Sequence, residues 1–342
     1  MALASNSQLG GARIVAVDYT LPEREITNEE LDRQHPRWRV AEVALRTGVI
    51  SRRWCGPGET ALDLGERACR QLAARTGLDL ARADALLFCT QSPDYLMPPN
   101  ACLLQHRLSL PPTVAALDFT LACSGYIYGL YLAKSLIESG AATNVLLVSA
   151  ETYSKRFHPD DRGPATLFGD GGAATWISTG AGIGPCLLGT DGSAAAWFSI
   201  PGGGARHPSS AETARPAADE SGNVRSSEHI HMNGVAVLEF VKNKIPGLVR
   251  ALLAREALTW SDIDLVIFHQ ASEIALKYLQ DALNIPAAKV FRNLARVGNT
   301  VSASIPIALR DAEIQGLLRP ESRILLTGFG VGLSWGGCIV NW

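Results

Sequence analysis

Five short apolar runs punctuate the chain: Ala85–Phe88, Val114–Phe119, Val145–Val148, Leu265–Phe268 and Ile324–Thr327. A run that is apolar at nearly every position belongs to a strand covered on both faces. These runs therefore predict the central strands of largely parallel sheets. Between them, apolar residues recur every three or four positions. That spacing predicts helices over Ala61–Thr76, Gly125–Glu138, Ala236–Glu256, Glu273–Leu283 and Ile305–Gln315. In the second, Ile127, Leu130, Ala133, Leu136 and Ile137 form one stripe. Strands alternating with helices predict an α/β fold.

The pattern also repeats. Asp84-Ala-Leu-Leu-Phe-Cys-Thr-Gln-Ser92 is echoed 180 residues later by Asp264-Leu-Val-Ile-Phe-His-Gln-Ala-Ser272. Asn144-Val-Leu-Leu-Val is echoed 179 residues later by Arg323-Ile-Leu-Leu-Thr. Two echoes in register predict two similar halves, residues 11–180 and 181–342. Residues 201–228 are rich in Gly, Ser, Ala and Pro and carry little periodicity, which predicts a long flexible surface loop. Ala2–Gly11 reads as a short polar tail.

Composition narrows the function classes. Among 342 residues, 47% are hydrophobic and 19% charged, enough apolar side chain for a large core and too much for a disordered chain. A net charge of −2 supplies no basic face for nucleic acid. There is no basic, apolar leader and no run of the ~18 apolar residues a membrane span needs, so neither a secretory signal nor a membrane partner is expected. The seven cysteines are scattered and form no CxxC pair. That pattern predicts neither disulfides nor a metal site; reduced thiols in a cytoplasm fit it.

Three residues stand out for chemistry. Cys123 lies in Leu117-Asp-Phe-Thr-Leu-Ala-Cys-Ser-Gly125, where an apolar strand gives way to a helix. A thiol at a helix N-terminus meets free backbone N–H groups and the positive end of the dipole, which favour thiolate. The same cysteine would also suit a tight buried turn with no chemical role. His269 directly follows the apolar Leu265–Phe268 run, at a strand end where α/β sheets place ligands. It would equally suit a buried, backbone-bonded histidine. The matching residue in the first half is Cys89, so the repeat does not itself require the histidine. Asn299, in Val297-Gly-Asn-Thr-Val-Ser-Ala-Ser304, reads by itself as turn chemistry. The glycine-rich Gly328–Gly337 stretch predicts a hairpin between the last strands, with a backbone N–H available to an oxyanion. Asp161–Ala174 fits neither phosphate-loop pattern, and no G-x-S-x-G elbow occurs; nucleotide binding and serine-hydrolase chemistry are set aside.

Taken together, these segments resemble the β-ketoacyl-acyl-carrier-protein synthase III family. The resemblance spans roughly Gly11 to Trp342. It rests on Ala122-Cys-Ser-Gly125, His269-Gln-Ala-Ser272, Gly298-Asn-Thr300, Asp161-Arg-Gly163, Phe168-Gly-Asp-Gly171, Phe329-Gly-Val-Gly332 and Arg46-Thr-Gly48. Cys and His lie 146 residues apart, His and Asn 30 apart, as in the family. The resemblance implies a thiolase fold, five-layered αβαβα with two duplicated halves, assembled as a homodimer without a resident cofactor. It implies that Cys123 takes an acyl group from acyl-CoA or an acyl-carrier protein. The N–H groups of Cys123 and Val331 would hold the oxyanion. His269 and Asn299 would stabilise the enolate formed when a malonyl thioester on acyl-carrier protein loses CO₂. Arg46, Arg162, Ser272 and Phe329 would contact CoA or substrate, and Met97 would bound the acyl pocket across the dimer. The sequence departs from the family at Glu42, where a tryptophan is usual, and at Val235, Ser272 and Ile274. The alternative activity is acyl transfer to a hydroxyl or amine without decarboxylation. Cys123, His269 and Asn299 together speak against a non-catalytic subunit. Hydroxymethylglutaryl-CoA synthase and plant-type polyketide synthases share the fold but match these motifs less closely.

Overall fold

The first sheet has the strand order Ala12–Thr20, Gly171–Thr179, Asn144–Glu151, Ala85–Cys89, Ala115–Phe119 in the computed structural model, which describes residues 10–220 and 222–342. Ala85–Cys89 runs parallel to both of its neighbours, Ala115–Phe119 and Asn144–Glu151. The second sheet has the order Leu265–Phe268, Arg323–Gly330, Ser334–Asn341, Leu187–Thr190. Its first pair is parallel and the other two are antiparallel.

The continuous apolar runs have a simple cause. Successive side chains of a strand point to opposite faces, and both faces are covered at four of the five runs. The fifth, expected to be covered likewise, is the edge strand Ala115–Phe119, where Ala115 and Leu117 are exposed because no neighbouring element covers them. Leu86 and Phe88 pack into the cluster under the Ala61–Thr76 helix, while Ala85 and Leu87 face the opposite cluster with Ile127 and Leu130. In the second sheet, Val266 and Phe268 face the Gly234–Arg255 helix, while Leu265 and Ile267 join the central cluster. The Gly125–Glu138 and Ser304–Ile314 helices lie between the two sheets, and each touches both. Helices Ala61–Thr76 and Asn100–Arg107 cover one outer face; Gly234–Arg255 and Glu273–Ala282 cover the other. The result is five layers, α–β–α–β–α.

The strands run past the apolar runs that announced them. Val145–Val148 extends to Asn144–Glu151, and Ile324–Thr327 to Arg323–Gly330, because ladder pairing carries polar and glycine residues along with apolar ones. The long helix is Gly234–Arg255, begun by Asn233, whose side chain accepts from the Ala236 N–H. Inside the 201–228 segment, Ala217–Ala218 pairs with Val224–Arg225, and Val224 N donates to Asp160 O. Residues 2–9 of the polar tail lie outside the described residues.

One buried cation ties the first half to the loop that ends at Asn299. Arg52 is 0% exposed. Its Nη1 donates to Ile26 O at 3.3 Å, and its Nη2 to Asn28 Oδ1 and Thr166 O at 2.8 Å each. Its Cβ lies against the Gly169 and Gly298 backbones, where an added Cβ would approach to 3.3 and 3.0 Å. Burial pulls the guanidinium down to about 10, so it stays charged at neutral pH. Arg52→Ala removes the guanidinium from Thr166 O, Ile26 O and Asn28 Oδ1 and opens a side-chain-sized void. We expect a loss of about 3 kcal/mol or more, read from urea unfolding. A loss below about 1 kcal/mol would show that the guanidinium is not a structural clamp.

Candidate functional site

The turn Leu121–Ser124 carries Cys123 from the Ala115–Phe119 strand into the Gly125–Glu138 helix. Gly125 N donates to Ala122 O at 2.8 Å, closing the turn. The small residues here are needed for space. A Cβ at Gly125 would collide with Cys89 Sγ, and one at Gly330 would come within 2.9 Å of Cys123 Sγ. Gly330 ends the Arg323–Gly330 strand, so the hairpin predicted over Gly328–Gly337 presses directly on the thiol. Ser334 Oγ donates to Val331 O at 2.8 Å, and Ser124 Oγ lies 2.7 Å from Ser334 Oγ, which locks hairpin and turn together.

His269 follows its strand and is 1% exposed. Its N–H donates to Thr327 O at 2.7 Å, and its ring stands edge-on to Phe329 with centroids 5.6 Å apart. Nδ1 lies 2.6 Å from Ser304 Oγ. Burial drives the imidazole down to about 3, so the ring is neutral at pH 7. A Ser304 hydroxyl that donates to Nδ1 would leave the ring proton on Nε2, the atom that has no protein partner among the described residues. Asn299 is held from both sides: its Oδ1 accepts from Val301 N at 2.9 Å and its Nδ2 donates to Ala271 O at 3.3 Å. Val301 has φ +56°, a left-handed conformation that a β-branched residue rarely adopts, set by this turn.

Cys123, His269 and Asn299 line one cavity, together with Phe329, Gly330 and Ser272. Its apolar walls include Val237 and Val241 from the Gly234–Arg255 helix, and Ile274 stands at 46% exposure on its lining. Val331 lines an adjoining cavity of about 260 Å³, and Phe198 lines both. Arg46 is exposed in the last turn of the Val40–Thr47 helix, without an ion pair or hydrogen bond among the described residues. Arg162 Nη1 donates to Trp38 O at 3.4 Å. Trp38 is 8% exposed and stacked on His35 at 3.8 Å, so it offers no free face to a ligand. Met97 lies elsewhere, 81% exposed between Leu96 and the cis-bonded Pro98. Among the described residues, no group of three His, Cys, Asp or Glu could hold a metal ion.

One expectation is corrected. The helix N-terminus does not leave Cys123 as a thiolate. Burial pushes the thiol up, and the Glu151 carboxylate pushes it further, against a smaller opposing pull from its own backbone N–H. The physical reason is desolvation: the dipole is worth about 1 kcal/mol or less, whereas removing a thiolate from water costs more. The resting site therefore holds a thiol.

Glu151 itself is a residue the sequence did not single out. It is 0% exposed at the end of its strand. Its oxygens accept from Ser302 Oγ at 2.7 Å, Gln91 N at 3.0 Å and Ser92 Oγ at 3.1 Å. Burial raises it to about 7 despite those donors. The apolar window that reveals a strand gives no signal for a carboxylate at the strand's end. Glu151→Gln removes a negative charge that opposes ionisation of Cys123. Iodoacetamide alkylation of Cys123 at pH 7, followed by peptide mass spectrometry, should speed up by about three- to tenfold. An unchanged rate would mean that the carboxylate is too well screened to act on the thiol.

Comparison with known proteins converges on one group. Residues 117–192 match the family model "3-Oxoacyl-[acyl-carrier-protein (ACP)] synthase III", and residues 253–342 match the model for its C-terminal part. The beta-ketoacyl-[acyl-carrier-protein] synthase III of Chlamydia caviae is 34% identical over 338 residues, covering 96% of both chains. That of Roseiflexus castenholzii is 36% identical, covering 97% of this chain and 98% of the other. A crystal structure of 3-oxoacyl-(acyl-carrier-protein) synthase III superposes with TM-score 0.95 at 42% identity, over 97% of this chain and all of the other. The first matched segment contains Cys123, and the second contains His269, Asn299 and Phe329.

Proposed function

The chain belongs to the 3-oxoacyl-[acyl-carrier-protein] synthase III family of the thiolase fold, and we propose that Cys123, His269 and Asn299 carry out its decarboxylative condensation. The enzyme joins an acyl group to a malonyl thioester on acyl-carrier protein, giving a β-ketoacyl thioester and CO₂. The observation that carries the residue assignment is the single cavity lined by all three side chains.

In the first stage the Cys123 sulfur attacks the thioester carbonyl of the donor. The C–S bond to CoA or carrier protein breaks, and the Cys123 proton ends on the departing thiol. The N–H groups of Cys123 and Val331 receive the oxyanion. The approach of the preceding residue, Gly330, to the Cys123 sulfur supports this role for the Val331 N–H. In the second stage the malonyl thioester loses CO₂. The enolate oxygen takes hydrogen bonds from His269 Nε2 and Asn299 Nδ2, and the enolate carbon attacks the acyl-cysteine. Both donors are neutral at working pH, so each donates at any pH from about 5 to 8.

Arg46 supplies an unpaired cation suited to a CoA phosphate or to the phosphopantetheine of a carrier protein. Arg162, Ser272 and Phe329 are its companions on the substrate path. With Trp38 stacked internally and Glu42 paired with Arg39, adenine recognition by an aromatic face has no candidate among those two residues. A homodimer places two copies along the Ala115–Phe119 edge strand. Tyr95, Leu96, Met97 and Leu117 are exposed at 60%, 99%, 81% and 43% respectively, an apolar patch a second copy would cover. Met97 of one copy would then bound the acyl chamber of the other. A cytoplasmic setting fits the free cysteines, and no described helix is long and apolar enough to cross a membrane.

The test is incubation with a panel of acyl-CoA and acyl-carrier-protein donors and malonyl-acyl-carrier protein. A β-ketoacyl product with stoichiometric CO₂ is expected. Acylated Cys123 that passes its acyl group to a hydroxyl or amine, without CO₂ release, would replace this reading.

A further inference from the structure

The cavity beside Cys123 is not a plain apolar chamber. Ile200, Phe198 and Ile230 supply apolar walls, but Gln91, Tyr153 and Arg156 also line it. Arg156 is the only charged residue among the lining side chains. Its Nε is sealed from solvent with no hydrogen-bond partner. Neither an ion pair nor a side-chain hydrogen bond reaches its guanidinium among the described residues. A guanidinium stays charged at any pH a protein survives, and burying its N–H without an acceptor is costly. The Nε atoms of Arg52, Arg292 and Arg310 are likewise sealed without a hydrogen bond, but each of those guanidinium groups has partners elsewhere: Arg52 has three acceptors, and Arg292 and Arg310 each face an acid.

The neighbouring polar groups point the same way. Tyr153 OH donates to Gln91 Oε1, which turns the Gln91 amide nitrogen into a second free donor. The Glu151 carboxylate takes its hydrogen bonds from Ser302, Ser92 and the Gln91 N–H and makes no ion pair with Arg156. The chamber thus offers donors and one positive charge, and no carboxylate is among the residues that line it. It adjoins the nucleophile: Val331 on its wall follows Gly330, which touches Cys123 Sγ, and Phe198 is shared with the cavity of the three site residues.

We propose that this chamber takes an acyl group whose far end carries a carboxylate, recognised by Arg156 and Gln91. The proposal rests on the reading of Cys123 as the acylated nucleophile. The transfer is an ordinary thioester exchange. Cys123 Sγ forms the new C–S bond, the bond to the CoA sulfur breaks, and the Cys123 proton ends on the CoA thiol. The far carboxylate takes no part in the bond change and remains ionised against the guanidinium, the pairing for which Arg is geometrically suited.

Acylation of the native protein is followed by intact mass with glutaryl-CoA, hexanoyl-CoA and acetyl-CoA, each giving a rate per donor concentration. The expected result is that glutaryl-CoA acylates Cys123 faster than hexanoyl-CoA by about 10- to 100-fold, the range a buried charged contact provides. Arg156→Leu should cut that ratio by about tenfold or more, and Arg156→Lys, which keeps the charge, should recover part of it. Wild-type protein that takes hexanoyl-CoA as fast as glutaryl-CoA overturns the proposal, as does an R156L protein that slows both donors equally. The wild-type ratio decides the matter even if R156L fails to fold. Acylation by acetyl- and hexanoyl-CoA but not by glutaryl-CoA sinks this inference alone. No acylation by any donor sinks the Cys123 reading and this inference with it.

Discussion

Cys123→Ala is expected to abolish acyl-enzyme formation and to lower condensation by about 10⁴-fold or more. The alternative route would be direct attack of a malonyl enolate on the donor thioester, and the cavity gives it no help. Both carbonyls would compete for one set of donors, and the covalent intermediate exists to separate the two encounters. The protein should still fold. Cys123 is a small, 4%-exposed side chain in a turn already fixed by the Ala122–Gly125 hydrogen bond. Losing one sulfur from such a place costs about 1 kcal/mol. Intact mass after incubation with acyl-CoA, together with a thermal melt, checks both halves. A folded Cys123→Ala protein that keeps condensation within about tenfold of the parent would remove the nucleophile from the mechanism. Another of the six remaining cysteines would then have to be considered. Cys89 would come first, since its electrostatic coupling to Cys123 shows it to be close by.

His269→Ala should separate the two stages. Condensation is expected to fall by about 10² to 10⁴-fold, since a positioned donor at a developing enolate is worth that much. Cys123 acylation should fall far less, because the proposed mechanism gives that step to the Cys123 and Val331 N–H groups. The readouts are CO₂ release from malonyl-acyl-carrier protein and the mass of the acyl-enzyme. Equal loss in both would mean that the imidazole serves the nucleophile and not the enolate. His269→Gln keeps an N–H donor and should restore part of the CO₂ release. The change also has a pH signature. The folded imidazole lies at about 3, below its ordinary value of 6.5. The unfolded chain therefore takes up a proton first as pH falls, and stability from His269 is fully present above pH 6.5 and lost between 6.5 and 3. His269→Ala should flatten acid unfolding over that interval, measured as the urea midpoint against pH.

The departure of the site's electrostatics from the sequence reading has a physical cause. Cys123 was expected as a thiolate from its helix position alone. The helix was where the sequence put it, Gly125–Glu138. What the sequence did not carry was the depth of burial and the arrival of Glu151 from a strand that ends 28 residues later in the chain.

The chain by itself determined the elements that hold the site. Unbroken apolar runs and a period of three to four marked the strands and the five helices, because a strand covered on both faces is apolar throughout and a buried helix stripe leaves its period in the residues. It also supplied the small residues Gly125 and Gly330, where an added Cβ would run into Cys89 Sγ and Cys123 Sγ respectively. Only the tertiary structure decided the electrostatics. Whether Cys123 is thiol or thiolate, which nitrogen of His269 bears the proton, and what Arg156 and Gln91 are free to hold all depend on distances between groups far apart in the chain. Charge energies follow the surrounding medium and those distances, and folding sets both.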